Sequence, residues 1–269
     1  MRQLVSRPFA IVAVLSVLLV VVIAFAVAWS DRGAEQASIE DAVNELDGSD
    51  RDADAESLRP APGVYVYEGM GTEQLSVLGT SQQWGPELPG LVRHRGDGCW
   101  AFKIEYNTNH WQETTYCRHG DVLEELGGRT FQTFEFVVTS VSDTTTFTCD
   151  PPGETIRTTA QPGDAWQQSC AGESPERGTQ VTAAGTNTFV GLETLEVGGE
   201  SISVYHYHYD RTLSGDQSGL DVFDTWFGVR DGLPIRFEHD VEVKSPSPIG
   251  DVTYIEQGSY LLTSVEPRH

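Results

Sequence analysis

The chain has 269 residues, a net charge of −23 and 39% hydrophobic residues, enough apolar content for one large β domain or two small ones with a real core. Forty acidic residues face seventeen basic ones, and among the basic ones only Lys103 and Lys244 are lysine. A surface this acidic excludes a nucleic-acid partner, which would need cations to displace phosphate counterions, and excludes docking on anionic lipid headgroups.

Arg2 and Arg7 precede an apolar run from Phe9 to Trp29 in which Ser16 is the one polar residue. As a helix this run spans ~30 Å, the thickness of a bilayer core. The arginines before it and Asp31 after it predict a single-pass anchor with the N-terminus in the cytoplasm and the rest of the chain outside the cell membrane. The competing reading is a cleaved, secretory signal, with Ala24-Phe25-Ala26 or Ala26-Val27-Ala28 as the cleavage site. Secretory apolar cores of ~7–15 residues are shorter than this run, which favours the anchor. No cysteine near the end of the run marks a lipid attachment site. Residues 1–30 are therefore read as cytoplasmic tip and transmembrane helix. Residues 31–59 follow as an acidic, disordered stalk, because 31–58 hold ten acidic residues, two arginines and no aromatic side chain. One short helix over Ile39–Leu46 is compatible with its faint period.

From Pro60 onward Val, Thr, Tyr, Phe and Trp alternate with polar residues between frequent glycines. This predicts an all-β domain over 60–269, built of antiparallel meanders in a curved, half-barrel-like sheet. Expected strands are 63–68, 73–78, 90–96, 98–106, 110–118, 129–141, 143–149, 178–183, 187–197, 200–211, 219–229, 233–244 and 251–265. One hairpin is specified in detail. With Asn107-Thr108-Asn109 as the turn, Tyr106 faces His110, Lys103 faces Glu113, Trp100 faces Tyr116, and Cys99 faces Cys117. Four cysteines in an exported chain read as two disulfides. The register pairs Cys99 with Cys117 and leaves Cys149 with Cys170 to close a Pro-, Gly- and Thr-rich loop, for ~3 kcal/mol of loop-closure stabilisation.

The chain also suggests an internal duplication. Glu113–Leu123 resembles Asp224–Pro234, and Phe147–Pro151 resembles Thr263–Pro267, which gives units 60–150 and 178–267 joined by the disulfide-closed loop. The stretches VGLETLEVGG (190–199), VYHYHYDRT (204–212) and DTWFGVRDGLPIRFEHDVEV (224–243) resemble a meander of the LolA/LolB-type lipoprotein carriers over about 186–245. Residues 60–267 as a whole resemble an actinobacterial family of exported, membrane-anchored β-proteins. The carrier resemblance implies a strongly bent antiparallel sheet with an apolar concave face able to hold lipid.

The chemistry-bearing candidate is VYHYHYD, residues 204–210. Strand alternation puts His206, His208 and Asp210 on one face and Tyr205, Tyr207 and Tyr209 on the other. Two histidines at i and i+2 can ligate one metal if the fold supplies a third ligand, from Asp210, Asp224, Glu238 or His239. The plain alternative is a strand whose tyrosines pack inward while its histidines meet solvent. His239 alternates with Phe237, Val241 and Val243, the position of a core histidine. The stripes Tyr205/Tyr207/Tyr209 and Trp100/Phe102/Ile104/Tyr106 suit either the core of a sheet or an apolar groove for a lipid-like ligand. No nucleophile elbow, phosphate-cradling glycine motif or CxxC pair occurs, so no cofactor is expected. The sequence therefore points to a non-enzymatic envelope protein binding a hydrophobic molecule or a protein partner. The alternatives are a metal protein using His206 and His208, and a structural ectodomain of a membrane complex.

Overall fold

The computed structural model describes residues 34–46 and 57–269, apart from 78, 97, 137–138 and 247–249. The expected transmembrane run and part of the expected stalk lie outside the described residues. Among the described residues no helix is long and apolar enough to cross a membrane.

Thirteen strands form one antiparallel sheet: β1 (Gly63–Leu75), β2 (Ser81–Gln83), β3 (Glu87–His94), β4 (Cys99–Asn107), β5 (His110–His119), β6 (Val122–Phe136), β7 (Thr139–Arg157), β8 (Ala165–Ser174), β9 (Thr179–Val197), β10 (Glu200–Gly215), β11 (Ser218–Gly228), β12 (Pro234–Ser245) and β13 (Val252–Leu262). Each pairs with its sequence neighbour except around β2, a three-residue piece on the second half of β1. The half-barrel expectation is corrected at the seam. β13 pairs with β1 over Tyr67↔Leu262 through Leu75↔Tyr254, so twelve strands close a barrel and no concave face stays open. Closure removes both sheet edges, which an open sheet of this length would expose to aggregation.

Both suggested repeat units feed this one sheet. The segments read as matching unit ends do not correspond: Phe147–Pro151 sits inside β7, whereas Thr263–Pro267 follows the last strand.

An eight-stranded barrel is about the size that side chains fill, so twelve strands enclose too much space unless the barrel flattens or the filling is large. Both happen. Inside are Trp84, Trp100, Tyr65, Tyr67, Tyr106, Tyr207 and Tyr209, all buried. Rings from opposite walls meet directly: Tyr116 on β5 stands edge-on to Phe227 on β11 at 6.4 Å. Tyr67 Oη donates to the Pro234 carbonyl at 2.7 Å.

The β4–β5 hairpin follows the expected register from Cys99↔Cys117 to Glu105↔Trp111, then shifts by one, so that Asn107 rather than Tyr106 faces His110. The Asn107 side chain explains the shift: its Oδ1 accepts from the Asn109 N–H at 2.8 Å and tightens the turn. Both disulfides link residues directly paired across adjacent strands, Cys99–Cys117 and Cys149–Cys170.

β8 replaces part of the loop expected between Cys149 and Cys170. After Trp166 its inward residues, Gln168, Cys170, Gly172 and Ser174, are polar or small, so the segment lacks an apolar alternation.

The stalk expectation is also corrected for residues 34–46. They form a strap on the outer wall, with a one-turn helix α1 (Ile39–Asn44) capped by Ser38. Ala42 and Leu46 bury against Val64 and Leu91. Glu45 pairs with Arg93 at 2.9 Å and Lys103 at 3.1 Å. Few apolar residues suffice here because the barrel wall supplies the other half of the contact.

Candidate functional site

The strand that carries VYHYHYD alternates as expected. Tyr205, Tyr207 and Tyr209 point into the barrel among Phe189, Phe223 and Phe227, and Trp100 and Phe102 lie in the same filled interior. His206 and His208 point outward. Their strand pairs with β11, where His208 faces Asp224 and His206 faces Trp226.

The result is a chain of charges along the outer wall. Glu193 Oε1 lies 2.7 Å from His206 Nδ1, and His206 Nε2 lies 2.8 Å from Asp224 Oδ1. Asp224 continues to His208 Nδ1 at 3.1 Å. Trp226 donates its indole N–H to Glu193 at 2.9 Å and stacks on the His206 ring. Arg236 covers the other side of Trp226. With a carboxylate at each nitrogen, His206 holds its proton above the ordinary imidazole range, although burial acts against the charge. Asp224 and Glu193 are correspondingly held below the ordinary carboxylate range against their own desolvation. Among the potential third ligands, Asp224 stands beside the pair. His239 projects to the opposite face, into the barrel.

Beside this chain, an open groove of about 680 Å³ lies on the wall formed by β1, β11, β12 and β13. Register places Met70, Thr72, Val222, Asp224, Glu238, Asp240, Gln257 and Ser259 on one face, since Met70 pairs with Ser259, Ser259 with Glu238, and Glu238 with Asp224. Three carboxylates line the groove, and Met70 beside them is 75% exposed. The wall behind is thin. Gly71 and Gly258 are paired, and the Trp84 ring lies against both: a Cβ at either would stand 2.5 or 2.4 Å from it. A side chain at either position would expel Trp84 from the interior.

The inner side of that wall holds a second charged cluster. Glu73, fully buried, accepts from Trp84 Nε1 at 2.9 Å, Gln82 Nε2 at 2.6 Å and Gln132 Nε2 at 2.7 Å, and meets His110 Nδ1 at 2.8 Å. Glu256 accepts from the Tyr254 hydroxyl at 2.5 Å, and His239 Nε2 meets Asp221 at 2.8 Å. Glu256 is driven down to about 2 by its imidazole neighbours, against strong desolvation, and His239 is raised to about 10 by Asp221 and Glu256. His110 is raised by Glu73 and Glu256. Tyr254 and Tyr106 are held neutral by burial. A second interior pair, Arg211 and Glu125 at 3.2 Å, lies under Tyr209 and Phe223.

Sequence reasoning placed His239 in the core and missed Glu73, Gln132, Tyr254 and Glu256. A signal existed. On β13, Tyr254, Glu256, Gly258 and Tyr260 share one parity, so a glutamate interrupts an aromatic face.

The chain is thus a closed, disulfide-braced antiparallel barrel with an acidic groove outside and a charged cluster inside. No family model matches it, and no curated protein does. Among solved structures it is similar to the crystal structure of the hypothetical lipoprotein YmcC from Escherichia coli K12, with a TM-score of 0.36 and 12% identity over 76% of this chain and 85% of that one.

Proposed function

We propose that the chain is a non-enzymatic protein of the cell envelope, tethered outside the membrane by its N-terminal apolar run, that binds a cationic segment of a partner protein in the outer groove. One observation carries the choice of site: Asp224, Glu238 and Asp240 line a groove of about 680 Å³ on a chain of net charge −23, with Met70 beside them for an apolar anchor. The two disulfides support an oxidising compartment. A lipid in the barrel is the competing occupant. It would sit among Tyr205, Tyr207, Tyr209, Trp100 and Phe102, whose rings already fill that space.

The test is titration of the full chain with a fluorescent Lys- and Arg-rich peptide at about 20 and about 200 mM salt. Wild type is compared with the paired variant Glu238→Lys/Asp240→Lys, and with Glu176→Lys/Glu200→Lys as a control of equal charge change on exposed residues elsewhere. Salt-sensitive binding that falls at least tenfold only in the groove variant is expected. Equal losses in both variants would reduce the effect to bulk charge and overturn the site. A lipid-sized adduct in the native mass spectrum, with no peptide binding, would move recognition into the barrel.

A further inference from the structure

The inner cluster is built from five residues on five strands: Glu73 on β1, His110 on β5, Asp221 on β11, His239 on β12 and Glu256 on β13. Most of its polar atoms are satisfied. Two are not. Glu256, 4% exposed, has Oε1 fully buried without a hydrogen-bond partner, and His239 Nδ1 is buried without one as well. These two atoms face each other at 3.6 Å, too far for a hydrogen bond. His110 Nδ1 lies 4.0 Å from the same Glu256 oxygen. Buried polar atoms are nearly always paired, so two orphans that point at one spot indicate something between them.

We propose that this spot is a metal site, binding one divalent first-row transition cation through Glu256, His239, His110 and Glu73. Glu73, His110 and Glu256 offer ligand atoms that all lie within 4.8 Å of one another, and all three are buried. His239, on the next strand, stands outside that group and reaches it through Glu256, 3.6 Å from its Nδ1. A tetrahedral ion with bonds of 2.0–2.1 Å needs its ligand atoms ~3.3 Å apart. Glu73–His110 at 2.8 Å and His239–Glu256 at 3.6 Å are near that value and His110–Glu256 at 4.0 Å is longer, so His110 closes in by under an ångström while the His239 ring must move inward by more than ~1 Å to complete the shell.

Two features fit a metal better than a bare ion-pair network. His239 turns its far nitrogen to Asp221 and leaves the near one unpartnered, the arrangement that orients and polarises a metal-bound imidazole. Glu73 is fixed by two glutamine amides and an indole N–H, so its carboxylate cannot swing away. Two imidazoles, two carboxylates and no thiolate select Zn²⁺, Fe²⁺ or Mn²⁺ over Cu⁺. The second cluster of potential ligands, Glu125 with Cys149 and Cys170, offers no thiolate because its cysteines are bonded to each other. The site stands independently of any partner in the outer groove.

The experiment uses the full oxidised chain, stripped with chelator and titrated with Zn²⁺ and then Co²⁺. One equivalent per chain is expected, with the visible absorption of low-symmetry Co²⁺. X-ray absorption of the wild-type Zn²⁺ form should count two imidazole nitrogens and two carboxylate oxygens, which needs no variant to fold. Asp221→Asn, which removes no ligand, should weaken Zn²⁺ 10–100-fold. His239→Ala and Glu256→Gln should abolish the equivalent, while His206→Ala and His208→Ala keep it. No stoichiometric metal in wild type overturns the proposal. So does an equivalent lost with His206 or His208 and kept with His239 and Glu256, which would assign the ion to the outer strand face.

Discussion

Two histidine–carboxylate chains lie on opposite faces of the barrel wall, sharing only β11, and they use the same residue types to different ends. The outer one, Glu193–His206–Asp224–His208, ends in a half-exposed imidazole that water can solvate. The inner one joins residues up to 183 positions apart in sequence, keeps Glu73 and Glu256 away from water, and leaves two atoms unsatisfied. The chemistry of the side chains is equal. What differs is the cost of leaving a group unpaired, small outside and several kcal/mol inside.

The comparison is broken most severely at Glu73. Glu73→Leu strands two glutamine amides, an indole N–H and His110 in the interior, and should cost ~3–5 kcal/mol, read as a lower urea midpoint in equilibrium unfolding. A loss under ~1 kcal/mol would mean that water reaches the cluster freely. Next is Gly258→Ala, whose methyl would collide with the Trp84 ring that covers Glu73. It should cost ~1–3 kcal/mol and shift tryptophan fluorescence towards that of a solvated indole. Outside, His206→Ala should cost only ~1–2 kcal/mol, because its two carboxylates regain water. His208→Ala should cost ~0–1 kcal/mol. Thermal melts of the two variants side by side would show whether the outer chain is graded by exposure, as this ordering requires.

The outer chain also has a pH signature. His206 is raised above 6.5, so its contribution is complete below that pH and is lost as pH rises through the folded value. Asp224 and Glu193 are depressed below 3.8 and 4.5, so theirs is complete above those values and fades as pH falls through the folded ones. Arg236, close by on β12, acts in the same direction on Glu193. The stability difference between wild type and His206→Ala should therefore be largest between about pH 4.5 and 6.5. A difference that is flat from pH 4 to 9 would show that the ring serves by packing on Trp226 alone.

Local signals carried the strands and little of their closure. Lys103 opposite Glu113 and Trp100 opposite Tyr116 could be read because a three-residue turn links partners close in sequence. The pairing of Tyr67 with Leu262 could not, because nothing in VYVYEG distinguishes a strand that closes a barrel from one at the edge of a sheet. The outward turn of His206 and His208 followed from alternation alone. Their clamp between Glu193 and Asp224 depended on neighbouring strands and on the bulge between His206 and Tyr207. The inner cluster was hidden for the same reason, being assembled one residue per strand. Glu256 among aromatics of its own parity was the one local trace.

The strap changes what the N-terminal segment does mechanically. Read as a 28-residue stalk, residues 31–58 would let the barrel roam up to ~90 Å from an anchor. Glu35, however, is fastened to the β4–β5 turn by two hydrogen bonds with Thr108, at 2.9 and 3.0 Å. Only six residue steps separate Glu35 from Trp29, a leash of at most ~20 Å. On the proposed anchoring through the apolar run, a barrel held that closely would be oriented as well as confined. The end closed by the Asn107–Asn109 turn would then face the bilayer, and the end carrying the Gly120 and Gly232 turns would face outward.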